Sequence, residues 1–138
     1  MSNLSIISLL FDFGLVVLIW MVQLIVYPSF KYHNQESLIK WHAKYTVRIA
    51  GIVIPLMFGQ LILYLYLVFT QPDASIYIRT VLTISAWIAT FAIFVPLHNT
   101  INNGKSTEKT LSQLVSKNWI RTAIWTLLFI INLITVVK

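Results

Sequence analysis

Four apolar runs, Ile6–Tyr27, Ile49–Phe69, Ile76–Leu97 and Trp119–Val137, take up most of this chain. Each is close to the 20 or so residues that a helix needs to cross roughly 30 Å of hydrocarbon. Stretches such as LVVLIWM and AIFVPL do not alternate as a membrane-spanning strand must, so the spans read as helices. Composition agrees: 58% of the residues are hydrophobic and 10% charged, against roughly 25% charged in an ordinary soluble domain. Ten Lys and Arg with four Asp and Glu cannot cover so much apolar surface in water. The first run lacks a basic leader and a small-residue cleavage site and is long for a signal peptide, so it is expected to be retained. The expected fold is all-α, an integral membrane antiparallel four-helix bundle in a single domain over 1–138, with helices at about 6–27, 35–69, 76–103 and 107–137.

The basic residues are partitioned. Lys31, Lys40, Lys44 and Arg48 lie in or beside the first connection, and Lys105, Lys109, Lys117 and Arg121 in or beside the third. Only Arg79 and Lys138 fall at the other end. The positive-inside rule then places those two connections in the cytoplasm and both termini outside it, as in a protein of a bacterial inner membrane. The net charge of +6 is thus an orientation signal and a contact with anionic headgroups, worth on the order of 1 kcal/mol per residue near the surface. No basic face is interleaved with exposed aromatics, so no nucleic-acid partner is expected.

Capping signals extend the helices on the basic side. Asn34 precedes Gln35-Glu36-Ser37 as an N-cap, Gly104 offers a stop for the third helix, and Ser106 or Thr107 can cap a fourth helix containing Leu111, Leu114 and Val115. The opposite connection, Thr70-Gln71-Pro72-Asp73, reads as a tight turn.

Polar residues in lipid-spanning helices turn inward, which makes their phase informative. On the fourth helix Asn118, Arg121, Trp125, Leu128, Asn132 and Thr135 share one face. On the first, Asp12 and Gln23 lie within about 20° of one stripe, with Val16, Ile19 and Tyr27 beside it. The second helix offers Arg48, Ile52, Pro55, Gly59, Ile62 and Tyr66, and the third Thr80, Thr83, Trp87, Thr90 and Phe94. Depth sorts these into an outer layer, Asp12, Asn132, Thr83 and Tyr66, and an inner layer near the basic end. The inner layer is the better candidate site. Arg121 and Arg48 suit an anionic or enolate oxygen, and Tyr45, Asn99, Asn118, Trp125, Gln23 and Tyr27 are candidate ligand contacts. His98 and His42 suit acid–base catalysis. The same arginines also suit lipid phosphate, and Trp119, Trp41, Tyr27 and Tyr45 suit an interfacial aromatic belt. Asp12 paired with Asn132 is either a structural contact or a proton-handling group, and the latter would suit a proton-coupled transporter.

No cysteine is present, which removes disulfides, thiolate nucleophiles and cysteine-held metal. The three histidines show no HxxxH spacing and no metal site is expected, although His42 and His98 sit at helix ends where they can serve as heme ligands. There is no glycine-rich phosphate loop.

Val95-Pro96-Leu97-His98-Asn99-Thr100-Ile101-Asn102, then Asn118-Trp119-Ile120-Arg121-Thr122, together with Tyr27-Pro28, resemble the small four-helix membrane family of anthrone oxygenase-like proteins, domain-of-unknown-function family 1772. The matching elements are Pro-x-x-Asn at Pro96 and Asn99 and Asn-x-x-Arg at Asn118 and Arg121, whereas a tryptophan of the family pattern is absent near Leu114. The resemblance implies an oxygenase that turns an aromatic anthrone into a quinone without an evident metal. Such a reaction needs a base, an oxyanion holder and an apolar pocket, which His98 or His42, Arg121 with Asn99 and Asn118, and the Trp125 face would supply. The chain is less similar to the four-helix, heme-using protoporphyrinogen oxidase, since its first helix carries no histidine. The function expected is therefore binding or oxidation of a planar hydrophobic molecule, polyphenol- or quinone-like. The alternatives are a non-catalytic accessory subunit or homo-oligomer, a heme oxidoreductase and a transporter.

Overall fold

A computed structural model describes residues Met1–Lys138. It contains no strands and four long helices: α1, Asn3–Tyr32; α2, Gln35–Thr70; α3, Ala74–Asn102; and α4, Glu108–Val137. Neighbours in sequence pack side by side and α4 closes the ring against α1, so the four form an antiparallel square bundle. Only 28% of each apolar window is buried inside the bundle, leaving Leu10, Leu24, Ile62, Val81 and Phe91 on the outer surface. All four helices are long and apolar enough to cross a membrane. The α1–α2 and α3–α4 connections, flanked by most of the basic residues, lie together at one end of the bundle, its basic end, and the two chain termini and the α2–α3 turn at the opposite end.

The helix ends follow their capping chemistry. The Asn34 side chain accepts from the Ser37 amide at 2.8 Å, Asp73 from the Ile76 amide at 2.9 Å, and Thr107 forms a reciprocal capping box with Thr110. Gly104 closes α3 with φ of 71°, a conformation that strains any residue with a Cβ. Ser2 caps α1 through the Ser5 amide at 3.1 Å, so this helix starts at Asn3, not Ile6. It also runs past Tyr27 through a short 3-10 turn at Phe30–Tyr32.

Two helices carry a widened π turn at matching depth, Val22–Val26 in α1 and Thr90–Phe94 in α3. Each lies directly ahead of a proline, Pro28 and Pro96. Proline lacks the amide that would continue the ladder and its ring crowds the carbonyl four residues back, and the wider turn moves that carbonyl aside. Single-turn bulges of this kind gather at functional sites.

The phase of α2 differs from the sequence expectation. Its buried side is Leu38, His42, Tyr45, Met57, Gln60, Leu63, Tyr64 and Leu67, whereas Arg48, Ile52, Pro55, Ile62 and Tyr66 face outward. The outer face of α2 is as apolar as its inner one, so Ile52 and Ile62 carried no phase information. The polar Gln60 and Tyr64, which must find partners, set it. Gly59 is the one member of the expected stripe that is needed: a Cβ there would lie 2.2 Å from the Phe11 ring of α1.

Candidate functional site

Thirteen polar or charged residues are buried, and most gather in two layers. Near the basic end, α4 presents Asn118, Arg121 and Thr122 one turn apart. Asn118 Nδ2 donates to Gln23 Oε1 at 2.9 Å, and Gln23 Nε2 donates to the Val115 carbonyl at 3.0 Å, which ties the π turn of α1 to α4. Asn118 Oδ1 in turn accepts from Arg121 Nε at 3.0 Å and Nη2 at 2.8 Å. The guanidinium also donates to Tyr27 Oη at 2.8 Å and to Thr90 Oγ1 at 3.5 Å, and lies over the Phe94 ring at 3.6 Å from its centroid. Arg121 is 7% exposed, and every partner it has is neutral; the one ion pair in the chain is Lys40 with Glu36 on the surface. A buried guanidinium with no counter-ion is costly unless an anion meets it.

Tyr27 leads to the histidines. Its Oη lies 3.0 Å from His98 Nε2, His98 Nδ1 lies 2.7 Å from His42 Nε2, and His42 Nδ1 lies 2.7 Å from Asn102 Oδ1. The two imidazoles are stacked with centroids 4.9 Å apart and are enclosed by Phe30, Tyr27 and Tyr45. A nitrogen-to-nitrogen distance of hydrogen-bond length leaves no room for an iron between the rings.

Between α2 and α3 lies a cleft of about 430 Å³. Its walls are apolar, with Val53 and Met57 of α2 facing Trp87 and Phe94 of α3, and its polar end is formed by Tyr27, His98, Asn99 and Arg121. Ile54, Phe58, Phe91 and Val95, all exposed, line it toward the outer surface, so the way in is from the side of the bundle. Trp125 closes the floor. Trp87 Nε1 is the one buried side-chain polar atom with no hydrogen-bond partner. An apolar cleft with a few convergent polar groups is the ordinary form of a small-molecule site.

The second layer, toward the termini, is built around Asp12. Its carboxylate accepts from Tyr64 Oη at 2.5 Å, Asn132 Nδ2 at 2.6 Å and Gln60 Nε2 at 2.7 Å. Asn132 bridges onward, accepting from Arg79 Nη1 at 2.5 Å and donating to Ser8 Oγ at 3.0 Å. Trp125 Nε1 donates to Gln60 Oε1 at 3.2 Å and so joins this layer to the cleft floor.

The structure therefore brings together His98, His42, Arg121, Tyr27, Tyr45, Asn118, Gln23, Trp125 and Asn99 at the inner layer, and pairs Asp12 with Asn132 in the other. Arg48 stands apart, on the outer surface beside Lys40 and Lys44. Trp41 and Trp119 are exposed, whereas Tyr27 and Tyr45 are buried and belong to the site, not to a surface belt. Sequence reasoning missed Gln60, Tyr64, Ser8, Asn102 and Arg79. Arg79 was legible only as a charge near a helix end; that it turns inward follows from Asn132 and Asp12 lying at its depth. No family model, curated protein or solved structure matches this chain.

Proposed function

We propose that this is an integral membrane protein, its basic end in the cytoplasm and both termini on the other side, that takes a planar, hydroxyl-bearing aromatic molecule from the bilayer into the cleft between α2 and α3. The observation that carries this reading is Arg121: a buried guanidinium without an acidic partner, on the polar wall of an apolar cleft that opens sideways. A polyphenol- or quinone-like ligand matches both halves of that environment. Its ring system fills the space between Met57, Trp87 and Phe94, and its oxygen meets Arg121 and Tyr27. A second ligand oxygen would supply the acceptor that Trp87 Nε1 lacks. The resemblance to anthrone oxygenase-like proteins points the same way, with oxidation of the bound enolate by dioxygen as the chemistry it implies.

The test is binding of 1,8-dihydroxyanthraquinone to the protein in lipid nanodiscs, followed by quenching of tryptophan fluorescence, since Trp87 and Trp125 line the cleft. Saturable binding that weakens at least tenfold in Arg121→Met and in Ala50→Trp is expected. The second substitution puts a bulky ring on the cleft wall at a residue whose own side chain makes no hydrogen bond. Unchanged affinity in folded samples of both variants refutes the reading.

A further inference from the structure

We propose that the ligand of the cleft is a lipoquinone, a quinone or quinol ring system bearing one long hydrocarbon chain. The ring is held at the polar end of the cleft, and the chain lies along the seam between α2 and α3 toward the middle of the bundle. This inference rests on the ligand site proposed above and names the class of molecule it takes.

The seam between α2 and α3 is hollow beyond the cleft. A second, open hollow of about 560 Å³ is lined wholly by apolar side chains: Leu61 of α2 and Ile84, Trp87, Ile88, Phe91 and Ala92 of α3. Trp87 and Phe91 line both hollows. Their rings are stacked with centroids 5.7 Å apart, and Phe58, on the cleft side, meets the Trp87 ring edge-on at 4.8 Å. Phe91 is 61% exposed and unpacked on its outer side, so a chain can pass beside it from one hollow to the other. From His98 at the polar end to Ile84 this track follows α3 for about 21 Å at 1.5 Å per residue.

The order of side chains along the track matches one such molecule. Tyr27, His98, Asn99 and Arg121 stand at the basic end, the aromatic rings of Phe94, Phe91 and Trp87 come next, and Ile88, Ile84 and Leu61 follow. A planar ring system is shorter than this track, and beyond Trp87 it would meet only aliphatic side chains. A flexible hydrocarbon chain attached to the edge of the ring remote from Arg121 fills that remainder. The chain then points away from the basic end, into the part of the bundle surface that is apolar throughout.

Arg121 selects a ring oxygen over the phosphate of a membrane lipid. Of the five N–H groups of a guanidinium, Nε donates to Asn118 and the two on Nη2 donate to Asn118 and Tyr27. Only Nη1 is left, with one long contact to Thr90 Oγ1 at 3.5 Å. One free nitrogen suits a single carbonyl or phenolic oxygen, whereas a phosphate takes several donors at once. Open cations for a lipid phosphate stand elsewhere, at the exposed Lys44 and Arg48 on the outer side of α2. An ordinary acyl chain can lie in the outer hollow, but it carries no group that the polar end of the cleft would hold.

Moving the chain from the bilayer into the hollow exchanges one apolar surrounding for another and adds little affinity, so the experiment reads position. The protein in nanodiscs is irradiated with a naphthoquinone whose short isoprenoid chain ends in a diazirine, and the labelled residues are mapped by mass spectrometry. Labelling at Leu61, Ile84 and Ile88 is expected to exceed that at Leu10 and Leu24, exposed on α1, at least fivefold. Excess 1,8-dihydroxyanthraquinone, which fills the cleft, is expected to bring it down to the α1 level. Ala92→Phe narrows the outer hollow alone and is expected to lower labelling at Leu61 and Ile84 at least threefold, with wild-type affinity for 1,8-dihydroxyanthraquinone. Val81→Phe, exposed on α3 away from both hollows, should change neither. Labelling spread evenly around the bundle, or labelling of the seam that 1,8-dihydroxyanthraquinone does not reduce although it binds, overturns the chain assignment and leaves the ligand site standing. Absence of 1,8-dihydroxyanthraquinone binding to the wild-type protein overturns the ligand site itself.

Discussion

Replacing Asp12 by leucine tests whether the outer layer holds the bundle together. The substitution removes an acceptor of three hydrogen bonds, from Gln60, Tyr64 and Asn132, and leaves those donors without their partner in the bundle interior. Side-chain hydrogen bonds between membrane helices average about 0.6 kcal/mol and reach about 1.7. Three short ones to a carboxylate therefore place the loss at about 2–5 kcal/mol. Arg79 also loses the anion it reaches through Asn132, so a double variant with Arg79→Leu should lose less than the two single losses combined. The assay is equilibrium unfolding in mixed detergent micelles with increasing dodecyl sulfate, followed by circular dichroism. Asp73→Ala is the comparison: it removes one N-cap bond at a helix end, at a cost of about 1 kcal/mol. A loss for Asp12→Leu no larger than for Asp73→Ala would refute the reasoning.

Two further outcomes are expected. Gly59→Ala drives a methyl into the Phe11 ring and should lower the unfolding midpoint by the equivalent of about 1–3 kcal/mol, while Gly51→Ala, which meets nothing within 4 Å, should be neutral or stabilising in the same titration. Arg48→Ala should leave both stability and probe binding at wild-type values, because the side chain lies on the outer surface away from the cleft; a tenfold loss of affinity would place it in the site after all.

The architecture was legible because helices long and apolar enough to cross a membrane obey few and strict rules. Length and hydropathy mark the spans, and Asn34, Gly104 and Thr107 mark where three of the helices begin or end, since a helix end must satisfy its own backbone, whereas Asp73, read as part of a turn, caps a helix that starts at Ala74. The contact between Asp12 and Asn132 could be expected from depth alone, since two costly polar groups at one level have few other partners.

Tertiary structure alone decided the rest. The phase of α2 was hidden because its two faces are equally apolar, and only the partners waiting on α1 and α4 turn Gln60 and Tyr64 inward. The π turns ahead of Pro28 and Pro96 shift the register locally, which a uniform period of 3.6 residues cannot show. The chain from Tyr27 through His98 and His42 to Asn102 joins three helices, and its links of 2.7–3.0 Å depend on how those helices slide along one another. Local sequence determines what each helix is and which groups it must bury; the axial register between helices is a property of the packed bundle, and the candidate site exists only at that register.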